Sequence, residues 1–60
     1  MKQYLVITKT KAYLVDAETF GTFEITDGRR TIYKFFKNNA KGVDLVAVFN
    51  AKEVKAVIEQ

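Results

Sequence analysis

Residues 23–33 read Phe-Glu-Ile-Thr-Asp-Gly-Arg-Arg-Thr-Ile-Tyr, two β-prone runs either side of Asp27–Gly28. Asp-Gly is the favoured pair for a two-residue type I′ turn, because both central positions need positive φ. A hairpin closed this way sets its own register. Thr26 faces Arg29, Ile25 faces Arg30 and Phe23 faces Ile32. Phe23, Ile25 and Ile32 then share one side of the ribbon, with Glu24 and Thr31 on the other. The middle of the chain is therefore predicted to be antiparallel sheet.

The segments before the hairpin continue in the same style. Tyr4–Thr8 (YLVIT) and Ala12–Ala17 (AYLVDA) are short, apolar and rich in β-formers, so both read as strands. Lys9–Lys11 between them fits a hairpin turn, although it lacks Gly or Asn. Glu18–Gly21 reads as a connection with Gly21 as its flexible point.

After the hairpin, Thr31–Lys37 (TIYKFFK) alternates with one flaw. Period two places Ile32, Lys34 and Phe36 on one side, and Tyr33, Phe35 and Lys37 on the other. Lys34 thus lands on the side expected to be buried. A snorkelling lysine or a short helix would also accommodate it, but the favoured reading is a β-bulge before Phe35. Asn38–Gly42 (NNAKG) reads as a loop. Asp44–Phe49 (DLVAVF) is the most continuously apolar run and is expected to be a central strand, buried on both faces. Asn50–Glu53 is expected to form one helical or 3₁₀ turn, followed by a last strand over Val54–Glu59. The alternative is a C-terminal helix over 51–59, capped by Asn50 with Glu53 as its capping-box partner.

The sum is an all-β chain of five or six short antiparallel strands. Such a chain can satisfy its edges by curling into a small open or SH3-like barrel, with the short turn near 50–53. The runner-up is an antiparallel sheet packed against helix 51–59. At 60 residues the chain is expected to be one small domain, 1–60, near the lower size limit for folding alone. Tight packing or a partner subunit must supply the stability.

Composition removes most chemistry. There is no Cys and no His, which excludes disulfides, thiolate zinc sites and the common triads and dyads. No Gly-rich phosphate loop is present. The carboxylates Asp16 and Glu18 could share a strand face, and Glu24 could approach Asp44, but no motif accompanies either pair. No enzymatic activity, cofactor, metal or small-molecule ligand is expected. No apolar run reaches the length of a membrane span or signal-peptide core. The absence of Cys fits a cytoplasmic setting.

Two function classes remain. Apolar residues occur on both faces of nearly every strand. A chain this small cannot bury them all, so a protein–protein interaction or accessory module, self-associating or docking onto another protein, is the leading expectation. The second class is weak single-stranded nucleic-acid binding. Arg29, Arg30, Lys34, Lys37 and Lys41 occur with no acid from Gly28 to Val43, and Tyr33, Phe35 and Phe36 are interleaved, with Tyr33 and Phe35 the candidates for stacking or an interface. Cations neutralise phosphates, and exposed rings stack on unpaired bases or fill an interface. Strand alternation opposes that reading, because it splits the charges between two faces unless the strand bends near Lys34.

Overall fold

The computed structural model describes residues 2–25, 28 and 30–60, which form six strands and no helix. They are β1 (Lys2–Thr8), β2 (Ala12–Ala17), β3 (Thr19–Ile25), β4 (Arg30–Asn39), β5 (Gly42–Asn50) and β6 (Val54–Glu59). All pairings are antiparallel, in two three-stranded sheets ordered β2-β1-β6 and β3-β4-β5. The chain passes between sheets twice, through Glu18 and through Ala51–Glu53. Among the described residues the strands pair within two sheets and do not join into one closed hydrogen-bonded barrel.

The β3–β4 hairpin has the register that its sequence dictates. Ile25 pairs with Arg30, Glu24 with Thr31 and Phe23 with Ile32. Gly28 takes φ +91°, as a primed turn requires. Thr26, Asp27 and Arg29 lie outside the described residues. The β1–β2 turn manages without Gly because Thr8 organises it. Thr8 Oγ1 accepts from the Lys11 amide at 3.0 Å and donates to the Lys11 carbonyl at 2.8 Å, a hydroxyl standing in for backbone partners. The β4–β5 connection is shorter than the expected loop, only Ala40 and Lys41, with Gly42 at φ +141°.

The turn before the last strand is also as expected. The Glu53 amide donates to the Asn50 carbonyl at 2.9 Å, and the Val54 amide to that of Ala51 at 3.2 Å. These i to i+3 bonds are of the 3₁₀ kind. Asn50 Oδ1 accepts from the Lys52 amide at 3.1 Å. Residues 54–59 then pair with β1, so the alternative helix 51–59 does not form. Val54, Val57 and Ile58 gain more from a pleated surface than from a helix that restricts their β-branched rotamers.

Three other expectations are corrected. The apolar run of β5 is not central: β5 is an edge strand, and residues 42–46 are all exposed. The bulge is not in β4. Phe35 pairs with Ala47 and Phe36 with Leu45, so the extra residue is Val46 on β5, while the β3–β4 pairing runs regularly to Phe36. Nor is Glu18–Gly21 a loop, since β3 begins at Thr19 and Gly21 lies inside it. The Glu18 amide donates to the Phe36 carbonyl at 2.7 Å, which pins the corner to β4.

The core lies between the sheets. Tyr4, Val6, Val15, Ala17 and Phe35 are buried, with Tyr33, Ala47, Phe49, Val54 and Val57 packed around them. Phe35 is the hub of an aromatic cluster, 5.2 Å from Phe20, 5.6 Å from Tyr4 and 5.8 Å from Phe49 between ring centroids. These separations suit tilted and offset ring pairs. No buried polar or charged residue occurs among the described residues. Among the described residues no helix is long and apolar enough to cross a membrane.

Candidate interaction faces

Register assigns every strand residue to the core side or the outside. In the β3-β4-β5 sheet, Tyr33 and Phe35 point inward with Phe20, Ala47 and Phe49. Phe35 has no exposed surface, so it is not available to stack on a base or enter an interface. Tyr33 is half-buried against the core. The aromatic that alternation overlooked is Phe23. It lies on the outer face, 42% exposed, with Phe36 5.9 Å away and Lys34 Nζ 5.1 Å above its ring. This cation–π contact explains the lysine that seemed misplaced. Lys34 stands on the outside, and the ring beneath it is apolar. The Asp-Gly register had already placed Phe23 beside Ile32 on that side, which was the available signal.

The basic residues do not converge. Arg30 and Lys34 share the outer face, about 13 Å apart along β4 at strand rise. Lys37 has the opposite parity and pairs with Asp44. Lys41 occupies the far turn, and Arg29 lies outside the described residues. The carboxylates do not converge either. Asp16 accepts a hydrogen bond from Gln3 Nε2 at 3.1 Å, and Glu18 sits at the corner after it. Glu24 and Asp44 flank β4 six positions apart, opposite Thr31 and Lys37, which is about 20 Å along the strand. Among the described residues no group of three or more acids is arranged to hold a metal.

The other sheet presents a different outer face. Leu5 pairs with Leu14 on one side and Ile58 on the other, making one row of three large aliphatic side chains across the sheet. One step along, Ile7 lies between Ala12 and Ala56. Leu14 is 63% exposed and Ile58 44%. No charged residue falls within these two rows.

No protein-family model matches the chain, and neither a curated protein nor a solved structure was found to be similar to it.

Proposed function

We propose that this chain is a small β-rich interaction module, accessory or regulatory in role, that associates with itself. One observation carries the reading: both sheets turn large apolar side chains outward, Leu14 and Ile58 on one, Leu45 and Val48 on the other. Contiguous exposed apolar surface is characteristic of interaction sites. A 60-residue chain also gains proportionately more from a partner than a larger domain would. The lack of cysteine is in keeping with a cytoplasmic setting. Sedimentation across protein concentrations tests the reading. The weight-average mass should rise above that of the protomer as concentration increases, and a constant protomer mass into the millimolar range would refute it.

A second reading has an observation of its own. Arg30, Lys34, Phe23 and Phe36 share the outer face of the β3-β4-β5 sheet. This combination of cations and partly exposed rings suits a single-stranded nucleic acid. A labelled oligonucleotide should bind at low salt and weaken as salt rises. Phe23→Ala and Lys34→Ala should each weaken binding several-fold. Binding without salt dependence, or indifferent to both changes, would count against it.

A further inference from the structure

Lys34 is half-buried although it stands on the outer face of its sheet. The reason lies across the ladder. Its partner on β3 is Gly21, which leaves a gap in the row of outward side chains. The ring of Phe23 leans into that gap, with Cε1 and Cζ 3.4 and 3.6 Å from where a Cβ on Gly21 would stand. Phe36 stands against the same ring at 78°, with centroids 5.9 Å apart. The Lys34 side chain then folds over the Phe23 ring and sets its ammonium 5.1 Å from the centroid. An ammonium over a ring face is held there by the electrons of that face.

This contact sets two roles against each other. An unpaired base stacks on the ring face that the ammonium already covers. A nucleotide supplies both replacement partners at once: its phosphate draws the ammonium away, and its base takes the face left open. An isolated anion would leave the ring bare, and an isolated base would have to displace the ammonium without offering it a counter-charge. Nothing on the outer face competes with a phosphate for Lys34. Glu24 and Asp44 have the opposite parity to Arg30 and Lys34, and among the described residues no acid stands on this face. The face therefore carries charge of one sign only, and is complementary to an anion.

We infer that Phe23 and Lys34 form a self-capped stacking site, opened by a single-stranded nucleic acid whose phosphate takes the ammonium while its base takes the ring. This rests on the nucleic-acid reading and adds how the site is occupied and what it selects. A duplex keeps its bases stacked among themselves, so it cannot make the exchange. Arg30, about 13 Å along β4, offers a phosphate contact with no ring to uncover. The two cations should thus behave differently, although they share a face and a charge.

The test follows the binding of single-stranded hexathymidylate by NMR titration. It compares the unaltered chain, Lys34→Ala and Arg30→Ala in about 20 mM and about 300 mM salt, with circular dichroism to confirm that each keeps its β spectrum. At low salt both variants should bind more weakly, because each has lost a phosphate contact. At high salt Arg30→Ala should match the unaltered chain, since the lost contact is screened. Lys34→Ala should instead bind about two- to fivefold tighter than the unaltered chain, because its ring needs no uncovering. The unaltered chain gives a second readout that needs no substitution. Ring current from Phe23 should place the Lys34 ε-methylene protons upfield of those of the other lysines, and saturating hexathymidylate should return them. A Lys34→Ala chain that follows Arg30→Ala at both salts would overturn the capping while leaving nucleic-acid binding standing. So would Lys34 protons that are not displaced in the free chain, or that do not move on saturation. A chain that binds no hexathymidylate at low salt would overturn both.

Discussion

Phe35→Ala is expected to unfold the protein at room temperature. Phe35 is fully enclosed and touches rings from β1, β3 and β5. Truncating a buried Phe to Ala costs about 3–5 kcal/mol, from lost transfer energy and the cavity left behind. A single hydrophobic core of this size rarely supplies more than about 3–5 kcal/mol, and with no cysteine there is no disulfide to add to it. The single change therefore consumes most or all of it, and the sheet spectrum and thermal transition should vanish. Phe23→Ala is the internal control. Its ring is 42% exposed and outside the core, so the loss should stay near 1 kcal/mol. Equal effects from the two changes would show that the aromatic cluster is not the centre of stability.

Val6→Asp is expected to be comparably severe, with a pH dependence that reveals its cause. Val6 is fully buried on the central strand of its sheet, and no buried polar or charged side chain occurs among the described residues to receive a carboxylate. Burial without a partner favours the neutral acid, so the folded-state pKa of the new Asp rises above its unfolded value of about 3.9. Stability is then highest below that unfolded value, where the group is neutral in both states. It falls as pH rises through the interval up to the raised folded pKa. Even at low pH the cost of burying a polar group remains, about 1–3 kcal/mol. Thermal or denaturant unfolding at pH 3 and pH 7 should show the variant more folded at pH 3, relative to the unaltered chain at each pH. The opposite order would mean that residue 6 reaches water.

Local signals in the sequence were legible where one physical rule dominates. Asp27–Gly28 predicts the pairing of Ile25 with Arg30 and Phe23 with Ile32, because a two-residue turn leaves no freedom of register. Asn50 foretells a tight turn, and the β-branched Val54, Val57 and Ile58 foretell a strand after it. Long-range placement was not legible. Asp44–Phe49 looks central because it is apolar throughout, yet a strand's position in a sheet depends on which partners the chain can bring to it. Here, among the described residues, no strand pairs with the far side of β5. The bulge was inferred from Lys34, but lies across the ladder at Val46. One strand's alternation cannot show which of two paired strands carries the extra residue. The candidate faces were half legible. Alternation separated Arg30 and Lys34 from Lys37, but it could not tell which side of β4 meets the core. Only the second sheet decides that, and it makes Phe35 interior and Phe23 exterior.

The β1–β6 pairing also orders events in time. Tyr4 pairs with Glu59, 55 positions away (59 − 4), and the Gln60 amide reaches the Gln3 carbonyl at 2.8 Å. Every other pairing joins strands that are consecutive in the chain. Closing a loop this long carries a larger entropic cost than closing a tight hairpin. Contacts between distant positions are what slow the folding of small β proteins. The β3-β4-β5 meander can form from neighbouring segments alone. The β2-β1-β6 sheet, and with it the outer row of Leu5, Leu14 and Ile58, is complete only when the two ends of the described chain have found each other. That exposed apolar face is thereby the last to be assembled as the protomer folds.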